Sequence, residues 1–346
     1  MARTGRKRKT QPEKRLVSGS IAVYANEFYE YLQSRNYSDT TIQNRKNCFA
    51  YFLRWCDERG IIEPSEVLRP VVERFQKYLF TYRKKRDSEP LSFRAQSSNL
   101  VAVRAFFRWM AKKNYVIYNP AAEIELPKLE KRLPKHVLTS AEAEAVLMLP
   151  DIREPMGVRD RTILEVFYST GMRRAELMNL SIYDIDMERG TVFIRQGKGK
   201  KDRMVPIGER AILWVQKYLA EVRPVFTSTP DNGTLFLTAQ GDIFTDFRLT
   251  QMVRDYVEKA NLGKKGACHL FRHTCATLML EGGADIRYIQ QQLGHTDLST
   301  TEIYTQVSIR KLKEVHTLTH PGARLEPHEA HGTETAAAPA ALLPSL

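Results

Sequence analysis

The sequence predicts a mainly α protein of two domains. We expect an all-helical N-terminal domain and a mixed α/β C-terminal domain, mostly helical with a small β-hairpin. The chain of 346 residues is long enough for two hydrophobic cores. Apolar residues recur at helical spacing through most of it, while a stretch near residue 200 changes to β-type runs. Prolines at positions 120, 127 and 134 interrupt the helical pattern between the two halves.

Four or five amphipathic helices are expected in the N-terminal domain, residues 18–118. Ser38 is a suitable N-cap for the second helix. Basic residues interleave with aromatic ones in "QNRKNCF" and "YRKKRD", which fits either a DNA-facing surface or ordinary solvated helix faces. The residues expected on the buried faces of the first four helices are Ile21, Ala25, Phe28 and Leu32; Phe49, Phe52, Leu53 and Cys56; Val72, Phe75, Tyr78, Leu79 and Tyr82; and Leu100, Val103, Phe106, Phe107 and Met110.

An extended linker, residues 119–138, is expected to lead into a second domain at residues 139–321. Thr139 and Glu142 form a capping-box pattern for its first helix. The runs "TVFIR" and "RMVPI", joined by a Gly/Lys turn, predict the hairpin. Gly294 fits the position just beyond a helix end. Further helices are expected near residues 160–169, 173–180, 209–223, 245–259, 270–281 and 285–293.

The charge of the chain favours a polyanionic partner. The formal net charge is +13, and such a surplus most often reflects nucleic-acid binding, although a basic protein without that partner has the same composition. Residues 1–17 are expected to be a disordered basic arm, and residues 322–346 a disordered Ala/Pro-rich tail. The sequence has neither a signal peptide nor an apolar run of about 20 residues, so we expect a cytoplasmic protein without a membrane partner.

The stretch "HLFRHT" allows a metal-site interpretation. His269 and His273 are four residues apart, and Cys268 and Cys275 flank them, so four zinc ligands are conceivable. However, Arg272 would place a positive charge beside the ion, and no glutamate accompanies the first histidine as in zinc proteases. We therefore expect no metal and no cofactor, and cysteines that are free and reduced.

Phosphate chemistry is the alternative interpretation. His269 and Arg272 are three residues apart, hence on one helix face. Upstream, "STGMRRAEL" begins a helix with Arg173 or Arg174 in its first turn, where anions are favoured. Other candidates are Lys198 in the hairpin turn, His295 after a helix end, and Tyr304 nine residues later.

Five short sequence motifs, called boxes below, resemble those of a known family. In this order, "TGMRRAEL", "GKGKKDR", "HLFRHTCAT", "LGH" and "TTEIYTQV" resemble the tyrosine recombinases, or phage integrase family, and look most like its Xer branch. The resemblance covers about residues 20–321. It implies a core-binding domain that contacts DNA, followed by a catalytic domain. The implied activity is site-specific recombination, in which DNA is cut and rejoined through a 3′-phosphotyrosyl intermediate without ATP or metal.

The resemblance also implies roles for individual residues. Arg173 is favoured over Arg174 by its position after "TGM". Glu176 would be structural, and His273 is expected to be an accessory or packing residue. The implied catalytic set is Tyr304 as nucleophile, His269 as general base, Arg173 and Arg272 as phosphate ligands, Lys198 as general acid, and His295 as a hydrogen-bond donor to the phosphate.

Several functional alternatives remain at this point. The recombinase would act in chromosome or plasmid dimer resolution, or in integration and excision of a mobile element. A type IB topoisomerase that reseals the same strand is a second hypothesis, and a catalytically silent DNA-binding module is a third. The segment "SIRKLKEVHTLTHP" reads as an amphipathic helix that packs on its own domain or, as in the recombinases it resembles, on a neighbouring protomer. The latter implies a tetramer on two DNA duplexes, of this chain alone or with a paralogous recombinase.

Overall fold

The chain divides into two compact units, Met1–Lys131 and Arg132–Leu346. The coordinates are a computed structural model. It describes residues 19–130, 136–195, 197, 201–227, 230–295, 301, 304, 313–314 and 316–317. The expected basic arm, the tail and Lys198 lie outside the described residues, as does most of the segment after Tyr304.

The described part of the first unit is built from four α-helices. Ser20, Ser38 and Ser92 cap α1, α2 and α4, each accepting a hydrogen bond from a backbone N–H in the first turn of its helix. A proline near the start of α3 suits a position where the helix needs no N–H donor. The bounds are α1 Ile21–Ser34, α2 Asp39–Asp57, α3 Arg69–Thr81 and α4 Phe93–Lys112.

An aromatic core holds these helices together. The buried residues of α1 are the four predicted, Ile21, Ala25, Phe28 and Leu32. Phe52 of α2 lies edge-on to Phe75 of α3, with ring centroids 5.0 Å apart. Edge-to-face packing of this kind adds to the gain from burial itself. The helical character and the core faces expected for the N-terminal half are confirmed, except that Leu53, Tyr78 and Tyr82 are only half-buried.

The second unit is mostly helical. The capping box of Thr139 and Glu142 at its first helix is confirmed, as is Gly294 in a left-handed conformation (φ 62°) at the end of its last described helix. The helices are α5 Ser140–Leu147, α6 Pro155–Thr170, α7 Arg174–Met178, α8 Glu209–Lys217, α9 Arg223–Phe226, α10 Asp246–Lys259, α11 Cys268–Glu281 and α12 Ile286–Leu293; Tyr218–Val222 between α8 and α9 is a π-helix.

A small antiparallel sheet lies between α7 and α8. Its strands are β1 Ile185–Asp186, β2 Thr191–Ile194 and β3 Arg203–Pro206, in the order β1-β2-β3. In the hairpin Thr191 is paired with Pro206 and Ile194 with Arg203, so the predicted hairpin is confirmed. Strand β1 was not predicted, because two residues are too few to show an alternating pattern.

Helix α6 begins at Pro155, before the expected start near residue 160. Its first turns contain charged residues that resemble a solvated face, yet they are buried. Arg159 pairs with Asp160 at 2.7 Å, and Arg161 pairs with Glu165 at 2.6 Å. Buried charges of this kind are tolerated only in partnered form, so the ion pairs let this polar sequence lie inside the unit.

Candidate active site

Arg173 occupies the N-cap of α7 and is held by Glu176, one turn further on. The Arg173 backbone N–H donates to Glu176 Oε2 at 2.8 Å, and Arg173 Nη1 donates to Glu176 Oε1 at the same distance. Its second terminal nitrogen, Nη2, donates to the carbonyl of Gly294 at 3.0 Å. The guanidinium is therefore fixed at both ends between α7 and the end of α12.

Arg272 of α11 reaches the same place from the other side. Its Nη1 donates to the carbonyl of Gly171 at 2.7 Å, and its Nη2 to the carbonyl of Leu293 at 2.7 Å. Arg272 is only 4% exposed, and burial together with the charge of Arg173 lowers its pKa to about 10. It remains a cation at neutral pH. Two guanidiniums thus bind consecutive backbone carbonyls, those of Leu293 and Gly294.

The neighbouring Arg174 points elsewhere. Its Nη1 donates to Thr250 Oγ1 at 2.8 Å, and its Nη2 pairs with Asp246 at 2.7 Å, both on α10. Of the two adjacent arginines, Arg173 is therefore the one held beside Arg272. This geometry agrees with the sequence argument that favoured Arg173.

Glu176 also binds Arg203, a residue that the sequence analysis did not single out. Arg203 Nη1 and Nη2 donate to the two carboxylate oxygens at 2.8 Å each, and Arg203 Nε donates to the carbonyl of Gln292 at 3.3 Å. Burial would raise the pKa of Glu176, but the hydrogen bonds from Arg203 and Arg173 hold it at about 2. Arg203 begins β3, so it ties the hairpin to α7 and to the end of α12.

Tyr304 lies in the small apolar cluster formed by α11 and α12. The cluster contains Ala276, Leu280, Ile289 and Leu293, and the tyrosine side chain within it is 1% exposed. Burial raises the pKa of its hydroxyl, while the nearby charges of Arg272 and Arg173 partly oppose that rise. Tyr304 shares this cluster with Leu293, whose carbonyl binds Arg272.

Two histidines contact this tyrosine, and a third lies one helical turn away on α11. His273 Nδ1 lies 3.2 Å from Tyr304 Oη. The ring of His295 is stacked on that of Tyr304 at 6.4 Å with an interplanar angle of 10°, and its Nδ1 is 2.8 Å from Thr301 Oγ1. His269 lies one helical turn before His273, and burial, then Arg272, Arg174 and Arg173, lower its pKa.

The structure thus brings together Arg173, Arg272, His295 and Tyr304, and places His269 on the helix that carries Arg272. Lys198 lies outside the described residues. For His273, expected to be an accessory or packing residue, the structure adds that its ring nitrogen lies within hydrogen-bonding distance of the tyrosine hydroxyl. Only the position of His273 next to Arg272 could have hinted at this contact, since 31 residues separate it from Tyr304.

The described residues contain no group of three His, Cys, Asp or Glu side chains placed to hold a metal ion. Cys268 and Cys275 are both buried free thiols. Burial raises the pKa of Cys275 to about 12, so this thiol stays protonated. In the same part of the chain, none of the helices is both long and apolar enough to cross a bilayer.

Comparison with known proteins agrees with this architecture. Residues 136–310 match the phage integrase family, and residues 25–117 match the phage integrase N-terminal SAM-like domain. Tyrosine recombinase XerC 2 of Ralstonia nicotianae is 44% identical over 321 residues, which cover 93% of this chain and 91% of the relative. The chain belongs to the tyrosine recombinases of the phage integrase family. It is a site-specific recombinase.

Further relatives show the same family and fold. Tyrosine recombinase XerC of Oceanobacillus iheyensis is 35% identical over 306 residues, covering 88% of this tyrosine recombinase and 97% of the relative. The crystal structure of the XerH site-specific recombinase bound to its difH substrate, a post-cleavage complex, has a TM-score of 0.65 at 23% identity. The aligned region covers 85% of this chain and 83% of the XerH chain. At this identity the similarity is evidence for the fold alone.

The family, the mainly α fold class and the recombinase activity expected from the sequence are therefore confirmed. The relatives found do not favour the topoisomerase or the silent DNA-binding module.

Proposed function

We propose that this recombinase binds a double-stranded DNA recombination site and cuts it by attack of Tyr304 on a backbone phosphate, leaving a 3′-phosphotyrosyl link. One observation carries the proposal. Arg173 and Arg272, from two different helices, bind the adjacent carbonyls of Gly294 and Leu293 at the end of α12, and Tyr304 packs in the same cluster as Leu293. Two arginines held side by side can bind the non-bridging oxygens of a phosphodiester and stabilise the additional negative charge of its pentacovalent transition state.

The arginines supply electrostatic catalysis in this scheme. Charge on the non-bridging phosphate oxygens grows as the pentacovalent transition state forms. A guanidinium has five N–H donors. Arg272 uses two of them, one on each terminal nitrogen, to bind backbone carbonyls. The remaining donors suit the phosphate oxygens. Fixed donors of this type contribute on the order of 10²–10³ in rate each.

The remaining groups handle protons and positioning. As the Oη–P bond forms and the P–O5′ bond breaks, the tyrosine proton passes to a histidine of α11. The departing O5′ takes a proton from Lys198, the general acid implied by the hairpin box. His269 is the general base that the family resemblance implies, and His295 is suited to donate a hydrogen bond to the phosphate. Attack by a 5′-hydroxyl on the phosphotyrosine reverses these steps and reseals the DNA.

The first unit offers a polar groove for DNA contact. A groove of about 920 Å³ runs between α2 and α4. It contains much of the "QNRKNCF" stretch, whose interleaved basic and aromatic residues fit either a DNA-facing surface or an ordinary solvated helix face. Amide, hydroxyl and guanidinium groups are the side-chain groups that commonly bind DNA phosphates and base edges. The polar residues that line it are Asp39, Thr40, Thr41, Gln43, Asn44, Arg45, Asn47, Ser97 and Ser98.

We further propose that the active assembly is a tetramer on two DNA duplexes, made of this chain alone or with a paralogous recombinase, in the cytoplasm. The formal net charge of +13 supports a polyanionic partner such as duplex DNA. The biological role proposed is dimer resolution of a chromosome or plasmid, or integration and excision of a mobile element.

A trapping experiment tests the proposed chemistry. DNA retained by the Tyr304→Phe variant from a random duplex pool would identify a binding site, because that variant keeps the protein surface but lacks the nucleophile. A nicked duplex built on that site should trap the native chain covalently and leave Tyr304→Phe bound without a covalent link. Covalent adducts that persist in Tyr304→Phe would refute the assignment of the nucleophile.

A further inference from the structure

The contact between His273 and Tyr304 is the feature of the site that the recombinase boxes do not explain. His273 Nδ1 and Tyr304 Oη are 3.2 Å apart, and their ring centroids are 5.7 Å apart at 54°. His273 is on α11, and the residues immediately before and after it attach this helix to the rest of the unit. Arg272 is anchored to the carbonyls of Gly171 and Leu293, and Thr274 Oγ1 accepts the backbone N–H of Leu138. The imidazole is therefore held in place by its own helix.

We propose that His273, rather than His269, takes the proton of the Tyr304 hydroxyl when the tyrosine attacks the phosphate. The role rests on the proposed function of Tyr304 as nucleophile. The Oη–H bond breaks as the Oη–P bond forms, and the proton moves to Nδ1, which requires that the other ring nitrogen carry the hydrogen in the neutral ring. When a DNA 5′-hydroxyl later displaces the tyrosine, the same imidazolium returns the proton to Oη.

The electrostatics of His273 are consistent with a proton acceptor. Burial, then the neighbouring His269 and Arg272, lower the pKa of His273 to about 4, so the ring is neutral at physiological pH and Nδ1 can carry a lone pair. Burial also raises the pKa of Tyr304, so the proton rests on the tyrosine while the site is empty. A bound phosphate would offset the positive charge of Arg272 and raise the affinity of His273 for a proton.

His269 is better suited to the phosphate itself. Three guanidiniums, those of Arg272, Arg174 and Arg173, act on its ring, and its centroid lies 6.5 Å from that of His273. The two histidines are one helical turn apart and share a face of α11. The charges of three arginines act on His269, whereas His273 contacts the tyrosine hydroxyl. This order separates a phosphate donor from a proton acceptor along one helix.

The test compares His273→Gln with His269→Gln, a matched substitution one turn away. A glutamine side chain can hydrogen-bond to Tyr304 but cannot take up its proton. Single-turnover formation of the covalent adduct is measured in the full chain on the nicked duplex selected with Tyr304→Phe. We expect His273→Gln to slow this step by about 10²–10⁴-fold, with unchanged affinity for the same duplex without a nick.

A more acidic tyrosine distinguishes a proton acceptor from a packing residue. With 3,5-difluorotyrosine at position 304, the hydroxyl loses its proton more easily and needs a base less. We expect this replacement to raise the rate of adduct formation by His273→Gln about tenfold or more and to leave the rate of His269→Gln unchanged. The reason is that a more acidic hydroxyl depends less on a general base. Restoration of His269→Gln instead would overturn the proposal.

Two further outcomes are decisive. If His273→Gln reacts within about threefold of the native rate while Tyr304→Phe forms no adduct, the His273 role fails and the proposed function stands. If Tyr304→Phe still forms adducts, both fail. Should the glutamine variant not fold, nitrogen NMR of the histidine side chains provides the check. Tyr304→Phe should shift the Nδ1 resonance of His273 more than that of His269, and an unshifted His273 would refute the contact.

Discussion

Replacing Glu176 by glutamine should destabilise the catalytic unit and disturb both arginines that it binds. The side chain is 5% exposed and accepts hydrogen bonds from Arg173 and from both terminal nitrogens of Arg203. Its pKa lies at about 2 in the folded chain against an ordinary value of 4.5. Since one pKa unit corresponds to about 1.4 kcal/mol, the charged carboxylate stabilises the fold by about 3 kcal/mol at neutral pH.

The pH dependence of this stabilisation has a definite sign. Because the folded pKa of Glu176 is depressed, its contribution is complete above the unfolded value of 4.5 and is lost as the pH falls from there toward 2. Glutamine has no such charge. The difference in stability between the native chain and Glu176→Gln should therefore be constant from pH 7 to about 5 and should shrink at lower pH.

The difference in stability between the native chain and Glu176→Gln can be measured by hydrogen exchange at increasing urea concentration. Peptides from α7 and β3 report on it, because these elements carry Glu176 and Arg203. Glu144→Gln is the matched control, because Glu144 pairs with Arg210 at the surface of the same unit. Surface pairs of this kind contribute about 0–1 kcal/mol. Equal losses in the two variants, or a loss for Glu176→Gln that does not change down to pH 3, would show that the charge of Glu176 is not what stabilises this region.

Three further predictions follow from the site. Arg272→Lys should lower covalent adduct formation by about 10²–10³-fold, because one ammonium cannot replace a fork that binds two carbonyls and a phosphate; a trapping rate near the native one would contradict this. Gly294→Ala should lower the thermal midpoint, since the residue has φ 62° and a Cβ atom there would lie 2.9 Å from the Arg203 side chain; Gly263→Ala, with φ 66° and open space, is the control for backbone strain alone. DNA affinity should fall steeply and log-linearly with salt, as phosphate contacts require, and a flat response in a filter-binding titration would argue against a basic DNA face.

Local signals made most of the fold predictable. The faces of α1 to α4 follow from apolar spacing, and the ends of α2, α5 and α12 follow from Ser38, Thr139 and Gly294, since a cap depends on residues within a turn of it. The start of α6 was misplaced for the opposite reason. Its charged residues are buried by partners elsewhere in the chain, such as Tyr256 beside Asp160 at 3.0 Å, and a local pattern contains no information on them.

The candidate site was predictable as a set of boxes but not as a geometry. The boxes pointed to Arg173, Arg272 and Tyr304, yet nothing in them indicates that the two arginines share the end of α12. The contact between Tyr304 and His273 depends on how the chain returns after α12, and that between Arg203 and Glu176 depends on how the hairpin folds back. Contacts between residues distant in sequence arise from packing, which spacing along the chain does not record.

The carbonyls of Leu293 and Gly294 have a consequence for the enzyme without DNA. They belong to the last turn of α12, where a helix has unsatisfied acceptors and a partial negative charge. Two cations held close together would otherwise repel each other, and the helix end attracts both. The protein therefore tolerates a concentrated positive charge before any substrate arrives. An incoming phosphate would meet arginines already oriented, so little of its binding energy would be spent on arranging them.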